Sequence, residues 1–207
     1  MLKTIIFDLG NVIVPLDFPA GALAWSEATG LTPDEVRRRM ASVDHYRAYE
    51  AGELSTPKFQ QSMEELFEKR FDETHFMNLW SSIFAEPTLV DAETLIRLKK
   101  RYRLVLLSNT NDLHFRFIRR HYPIVELFDE YVLSYEVQSM KPDGGIYQAA
   151  IAAARCAAHE CFFTDDLAAN IEAARGHGLQ AEVFVDEPTL LGHLRDRGVM
   201  LGASLLI

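Results

Sequence analysis

The stretch TIIFDLGNVIV at residues 4–14 decides the fold. A short apolar, β-branched run leads directly to Asp8, and Gly10 follows two positions later, which is typical of a buried strand that ends in a loop. A strand without polar alternation belongs in a parallel sheet that helices cover on both faces. Asp8 is then expected at the carboxyl end of that strand, where open parallel sheets bind ligands.

Three further short motifs place polar residues at the ends of apolar runs or in loops. They are VLLSN at 105–109, MKP at 140–142 and FFTDD at 162–166. Because the carboxyl ends of parallel strands meet at one edge of a sheet, side chains more than a hundred positions apart can converge there. The residues expected to join Asp8 are Ser108, Asn109, Lys141, Asp165 and Asp166.

After Pro87 the pattern alternates between helical segments and short apolar strands. This alternation predicts an α/β fold with a doubly wound parallel sheet. The stretch 17–86 differs, because its apolar residues recur at helical spacing and no strand interrupts them. The sequence TPDE at 32–35 is a capping box with proline at the first helical position. We therefore expect a core domain, residues 1–16 and 87–207, and an inserted helical cap domain, residues 17–86.

Composition narrows the possible partners. The 207 residues include 21 Lys and Arg against 30 Asp and Glu, giving a formal charge of −9. This acidic balance argues against nucleic acid and anionic membranes as partners. Asp8 and Asn11 interrupt the apolar N-terminal run, so a signal peptide is not expected. With only two cysteines, a cytoplasmic protein with reduced thiols is the expectation. The apolar tail 199–207 would pack on the core or on a second subunit, so monomer and homodimer both stay open.

The expected cluster has the groups for phosphoryl transfer. A carboxylate such as Asp8 can attack phosphorus and form an acyl phosphate that water later hydrolyses. Carboxylate and phosphate repel each other, so the site needs a cation. Asp8, Asp166 and Asp165 offer the hard oxygen ligands that suit Mg²⁺. The predicted substrate is a small phosphorylated metabolite.

In these four motifs the chain resembles the haloacid dehalogenase (HAD) superfamily, and the insert after the first strand resembles the helical cap of one of its groups. FDLGNVIV at 7–14 and LSNTN at 107–111 are most similar to the bacterial α-D-glucose-1-phosphate phosphatases. The resemblance implies that the Gly10 carbonyl faces the metal and that Ser108 and nearby amides hold the phosphoryl oxygens while Lys141 neutralises them. The implied phosphate-binding residues are Leu9, Gly10, Ser108, Asn109 and Lys141.

The chain departs from most phosphatases of the superfamily at position 10, where Gly10 replaces an Asp that acts as general acid and base. Two consequences stay open. The enzyme either favours acidic leaving groups, such as anomeric sugar phosphates, or takes an acid from the cap, for which His45, Tyr46 and Tyr49 are the candidates.

Two other functions fit the same motifs. A 2-haloacid dehalogenase would use Asp8 on a carbon centre without metal, but such enzymes typically replace the acidic pair with Ser-Ser-Asn, whereas this chain has Asp165 and Asp166. A catalytically idle module of the HAD fold is suggested by Gly10 alone. Among the remaining polar residues, Asn170 is a candidate to hydrogen-bond the acids, and His114 is expected at the surface or at a helix cap.

Overall fold

The protein contains a five-stranded, fully parallel sheet. The structure is a computed structural model that describes residues 1–42 and 44–200. The strands are β1 Thr4–Phe7, β2 Arg103–Ser108, β3 Glu130–Leu133, β4 Cys161–Asp165 and β5 Gln180–Val183. Their order across the sheet is β3-β2-β1-β4-β5. The predicted doubly wound α/β architecture is confirmed.

Eleven α-helices lie in the described part of the chain. Between β1 and β2 they are α1 Phe18–Thr29, α2 Pro33–Ala41, α3 His45–Glu50, α4 Thr56–Phe67, α5 Glu73–Trp80 and α6 Ala92–Lys99. The others are α7 Asp112–His121, α8 Ser134–Val137, α9 Gly144–Ala154, α10 Ala168–Gly176 and α11 Glu187–Asp196. None of these helices has the length and apolar character needed to span a membrane.

The strands bury apolar side chains on both faces, as their continuous apolar pattern predicts. Ile5 and Phe7 belong to one cluster with residues of α6, α7 and α11. Ile6 belongs to a second cluster with residues of α9 and α10. All three side chains are fully buried, and each stabilises the fold by roughly 1.5–3 kcal/mol relative to an exposed position.

The register brings the strand ends together. Phe7 lies opposite Leu106 on β2 and Thr164 on β4. The Asp8 N–H donates to the Thr164 carbonyl at 3.0 Å and so extends the pairing by one residue. Asp8 and Asp165 therefore leave neighbouring strands at the same level, on the edge where ligands bind.

Helices α1 to α5 share a buried cluster, to which Leu113 of α7 also belongs. Trp25 and Phe59 both contact the ring of Phe76, with centroid distances of 6.2 and 6.0 Å. Two chain segments join these helices to the sheet, and they pair with each other. The Asp17 N–H donates to the Ile83 carbonyl at 2.7 Å. This pairing lies beside the predicted boundary between core and cap.

Local details differ from expectation in two places. The sequence predicts a strand over residues 131–134, but the strand ends at Leu133, because Ser134 starts α8 and its hydroxyl accepts a bond from the Thr110 N–H. Thr32 caps α2 by accepting from the Glu35 N–H, but the Glu35 carboxylate pairs with arginines of its own helix. Only half of the predicted capping box therefore forms. Residues 201–207 of the predicted apolar tail lie outside the described residues.

Candidate active site

Asp8 occupies the loop directly after the central strand. Asp8 is only 8% exposed, and its Oδ1 lies 2.6 Å from the Lys141 Nζ. The Leu9 N–H also donates to the carboxylate. The backbone winds tightly after it, because the Ile13 and Val14 N–H groups both donate to the Leu9 carbonyl at 2.9 Å. The Asp8 carboxylate is thus held in one place, with Oδ1 against the Lys141 ammonium.

Lys141 bridges two acids. Its Nζ lies 2.6 Å from Asp8 Oδ1 and 2.6 Å from Asp165 Oδ2, and it donates to the Leu107 carbonyl at 3.3 Å. Burial disfavours the charged ammonium, but the two carboxylates outweigh burial and raise the pKa of Lys141. The ammonium therefore stays charged at neutral pH.

Asn109 fixes the backbone of this lysine. The Asn109 Nδ2 donates to the Lys141 carbonyl at 2.9 Å, and the Lys141 N–H donates to Asn109 Oδ1 at 2.7 Å. The Asn109 side chain is consequently occupied, which leaves only its backbone for a ligand. Ser108 is buried beside it, and its hydroxyl donates to the Asn109 carbonyl at 3.3 Å.

Asp165 and Asp166 differ in how many hydrogen bonds they accept. Asp165 is fully buried. Its oxygens accept hydrogen bonds from the Lys141 ammonium, from the Leu167 N–H and from Asn170 Nδ2, which contacts both of them. Asp166 is half-buried and accepts one side-chain bond, from Asn11 Nδ2 at 3.1 Å. The bonding role expected for Asn170 is therefore present, and it is directed at Asp165.

The donor set fits a divalent cation. One oxygen from each of Asp8, Asp165 and Asp166 can be chosen so that all lie within 4.8 Å of one another. Three carboxylates face a single ammonium, and burial raises the pKa of both Asp8 and Asp166. A divalent cation would supply the missing positive charge, and carboxylate oxygens are the ligands that Mg²⁺ prefers. Asp8 and Asp166 have oxygens free to hold it, whereas Asp165 has none.

A cavity of about 810 Å³ is lined by residues from the chain between β1 and β2 and by His114 of α7. Aromatic and aliphatic side chains form most of its wall. Its polar groups are Arg37, Tyr46, Glu50 and His114. Of the three cap residues considered as acids, Tyr46 lines the cavity, whereas His45 is exposed and Tyr49 is buried with its hydroxyl 2.8 Å from Thr56 Oγ1.

Two residues differ from the sequence-based view. His114 is buried, not at the surface: its Nε2 donates to the Trp80 carbonyl at 3.0 Å, and burial lowers its pKa to about 4. Glu50 was missed. It lines the cavity, and burial raises its pKa to about 7 against the opposing field of Lys141. The only sequence signal is a carboxyl just before the Ala51-Gly52 turn, and that pattern is common on protein surfaces.

Comparison with known proteins places the fold among characterised relatives. A D-ribitol-5-phosphate phosphatase of Bacteroides thetaiotaomicron is 26% identical over 186 residues, which is 87% of this chain and 90% of the relative. A HAD family enzyme from the same organism, in complex with magnesium and inorganic phosphate, superposes with a TM-score of 0.82 at 23% identity, covering 90% of this chain and 96% of the other.

A more distant structure shares the fold with a different chemistry. An L-2-haloacid dehalogenase of Xanthobacter autotrophicus with covalently bound chloropropionic acid has a TM-score of 0.63 at 13% identity, covering 97% of this chain and 85% of that one. The family model of haloacid dehalogenase-like hydrolases matches residues 2–178, most of the chain. The chain therefore belongs to the haloacid dehalogenase-like hydrolases.

Proposed function

We propose that the chain is a Mg²⁺-dependent phosphatase that hydrolyses a small phosphorylated metabolite through a phosphorylated Asp8. The observation that carries this proposal is the position of the Asp8 carboxylate. One oxygen contacts the Lys141 ammonium at 2.6 Å, and the carboxylate belongs to an acidic cluster with Asp166 that a divalent cation would complete. A nucleophile held between two positive charges suits an anionic phosphate ester.

Asp8, Asp166 and the Gly10 carbonyl are the proposed ligands of Mg²⁺. The bound ion would neutralise part of the charge on the phosphate and on the attacking carboxylate. Asp165 is proposed as a positioning residue, because its oxygens are occupied by Lys141, Asn170 and Leu167. We expect it to act through the lysine and not as a direct ligand.

The chain's own residues account for the nucleophilic attack and for the binding of the phosphoryl oxygens. One oxygen of the Asp8 carboxylate attacks phosphorus, the bond from phosphorus to the ester oxygen breaks, and that ester oxygen leaves with the electron pair. Lys141 neutralises the charge that spreads over the phosphoryl oxygens. The Ser108 hydroxyl and the backbone of Leu9, Gly10 and Asn109 orient those oxygens. Water then attacks phosphorus, the bond from phosphorus to the Asp8 oxygen breaks, and inorganic phosphate leaves with the Asp8 carboxylate restored.

We propose a sugar phosphate as the substrate, such as an anomeric hexose phosphate. The ribitol-phosphate relative supports a polyol or sugar ester, and the motif resemblance at 7–14 and 107–111 supports an anomeric one. The cavity beside Glu50 is large enough for a hexose, and its aromatic walls can pack against the C–H faces of a sugar ring. In this proposal residues 17–86 form a cap domain that selects the substrate, while the core, residues 1–16 and 87–207, recognises phosphate.

The competing functions make different demands on the same site. A dehalogenase works without metal, yet Asp8 and Asp166 without a cation would repel each other and their pKa values rise on burial. An idle binding module would not need an ammonium fixed by two carboxylates. The acidic cluster therefore favours the phosphatase.

A substrate panel tests the proposal. The purified protein is assayed with Mg²⁺ on p-nitrophenyl phosphate, hexose 1- and 6-phosphates, ribitol 5-phosphate, nucleotides and 2-chloropropionate. We expect phosphate release that EDTA abolishes and Mg²⁺ restores, with a sugar phosphate preferred. Chloride release that resists EDTA would make the enzyme a dehalogenase, and no turnover of any compound would make it an idle module.

The proposed setting is the cytoplasm, with the chain active as a monomer or a homodimer. Gel filtration at the assay concentration distinguishes the two states.

A further inference from the structure

The site described so far lacks a group that can protonate the departing alcohol. Gly10 has no side chain, and Lys141 and Asp165 are paired with each other. Asp8 is the nucleophile, and Asp166 bonds Asn11 and faces the proposed cation. An alkoxide that leaves without a proton is a poor leaving group, and general acid catalysis typically contributes about 10²–10⁴-fold in rate.

The backbone of Glu50 is fixed beside the loop that follows β2, residues 109–111. Its carbonyl lies 2.6 Å from the Ser134 hydroxyl, which also accepts a bond from the Thr110 N–H at 2.9 Å. Thr110 is two residues after Ser108, so one buried hydroxyl links the end of α3 to that loop. The position of Glu50 relative to the core is therefore set by direct hydrogen bonding.

The turn after Glu50 is shaped for this contact. Gly52 has a φ of +74°, and a Cβ at this position would collide with the Tyr135 carbonyl of the core. On the other side, the Leu113 N–H donates to the Tyr49 hydroxyl at 3.2 Å. A glycine that permits close approach and a tyrosine bonded to α7 thus hold the chain on both sides of Glu50.

The Glu50 carboxyl itself is unengaged. It lines the cavity, and it has no hydrogen-bond or ion-pair partner among the described residues. Arg37 and His114 share the cavity wall, but Arg37 is ion-paired with Asp34 and His114 is bonded to Trp80. Because burial raises its pKa to about 7 against the field of Lys141, a large fraction of Glu50 carries a proton at neutral pH. This is the range in which a carboxyl works best as acid and base.

We infer that Glu50 is the general acid and base of this enzyme, in the role for which position 10 offers no side chain. The inference rests on the proposed phosphatase function and adds a residue to it. As the bond from phosphorus to the ester oxygen breaks, that oxygen keeps the electron pair and takes the Glu50 proton. The resulting carboxylate then removes a proton from the water that attacks phospho-Asp8, which returns Glu50 to its acid form. With this acid present, ordinary alkyl phosphates can react as well as anomeric ones.

The test compares Glu50→Gln with Glu53→Gln, an exposed glutamate in the same turn. Alcohol release in the first turnover is measured by rapid mixing with p-nitrophenyl phosphate and with an alkyl ester, ribitol 5-phosphate. p-Nitrophenol leaves without a proton, so the Glu50→Gln enzyme should keep its burst and then stall at phospho-Asp8. The alkyl ester should lose about 10²–10⁴-fold in its first step. Glu53→Gln should match the native enzyme.

Two further readouts separate this role from a structural one. The fall in kcat/KM of the alkyl ester as pH rises above about 7, where Glu50 loses its proton, should disappear in Glu50→Gln. Gly10→Asp added to Glu50→Gln should restore part of the alkyl ester rate, because the new Cβ would meet only the flexible end of Leu16, at 3.0 Å. Equal losses on both esters, or no loss on either, would overturn the role of Glu50. Native enzyme that turns over no phosphate ester would instead overturn the phosphatase proposal.

Discussion

At the scale of single residues, Asp8 carries the proposed chemistry. Asp8→Asn keeps the shape of the side chain but removes the nucleophilic charge and the attraction to Lys141 at 2.6 Å. We expect turnover to fall by several orders of magnitude, with the fold retained by circular dichroism. In the native enzyme, acid quench during turnover should trap phosphate on Asp8, located by peptide mass spectrometry. A variant with near-native activity would exclude the covalent mechanism.

The two neighbouring acids should give different phenotypes. Asp166 has oxygens free for a cation, whereas those of Asp165 are occupied by Lys141, Leu167 and Asn170. Asp166→Asn should raise the Mg²⁺ concentration for half-maximal activity by about tenfold or more. Asp165→Asn should instead lower kcat, because the ammonium loses one of its two carboxylates. Titration of activity with Mg²⁺ checks both, and equal Mg²⁺ dependence in the two variants would contradict this division.

Residue types and order alone indicate most of this site. Asp8, Lys141 and Asp166 are polar groups placed after apolar runs or in a loop, and parallel-strand topology predicts that such groups meet. The division of labour between Asp165 and Asp166 is not predictable, because it depends on which oxygens the Asn170 and Lys141 side chains reach in three dimensions. Glu50 is hidden for a similar reason: its burial comes from the way α3 docks on the core.

At the scale of elements, the strand predicted before Asp8 is present, and so is the alternation of helices and strands predicted after Pro87. The reason is that a fully buried strand must be apolar throughout, which leaves a strong signal. Helix α8, Ser134–Val137, is not predicted, because four residues are too short to show helical periodicity. It exists through tertiary bonds of Ser134 to Thr110 and Glu50, which the local sequence does not encode.

Helix α3 carries two tyrosines with different expected roles, one in substrate specificity and one in stability. Tyr46 lines the cavity, whereas the Tyr49 hydroxyl bonds Thr56 and the Leu113 N–H. Tyr46→Ala should change the ratio of kcat/KM between two sugar phosphates by roughly 10–100-fold while stability changes little. Tyr49→Phe should lower the free energy of unfolding by about 1 kcal/mol with the ratio unchanged. Urea titrations and the substrate panel measure both, and a reversed pattern would contradict the assigned roles.

At the scale of the whole molecule, an acidic chain must attract a phosphate. The formal charge of −9 opposes this at long range, so attraction has to be local, from Lys141 and the proposed cation. Removing that cation should therefore abolish turnover. Ca²⁺ should restore it poorly, because the larger ion tolerates bidentate carboxylates and would occupy the attacking oxygen of Asp8. Activity assays after chelation and metal addition check this, and full activity with Ca²⁺ would contradict it.

The stability of the whole molecule should depend on pH through His114, which lies where α7 packs against the end of α5. In the folded chain, burial lowers its pKa from 6.5 to about 4. Between these values the unfolded chain binds a proton that the folded chain does not, so stability falls as pH falls. Above pH 6.5 this effect contributes about 3 kcal/mol to the free energy of unfolding, and the contribution is lost by pH 4. His114→Gln should remove this part of the acid dependence, even though the variant starts from lower stability because the fit to Trp80 is lost.

The measurement is the free energy of unfolding from urea titrations between pH 4.5 and 7.5. Carboxylates such as Asp129, whose bonds to Leu104 and Lys99 outweigh burial and lower its pKa, add their own acid dependence in every variant. Comparing the slope of unfolding free energy against pH between the native chain and His114→Gln cancels the effect of these carboxylates, because the two proteins differ only at His114. His159→Gln, at an exposed position, is the matched control and should keep the native slope. If His114→Gln also kept that slope, the histidine would be protonated in the folded chain, and its Nδ1 could not accept the Asn111 amide as placed here.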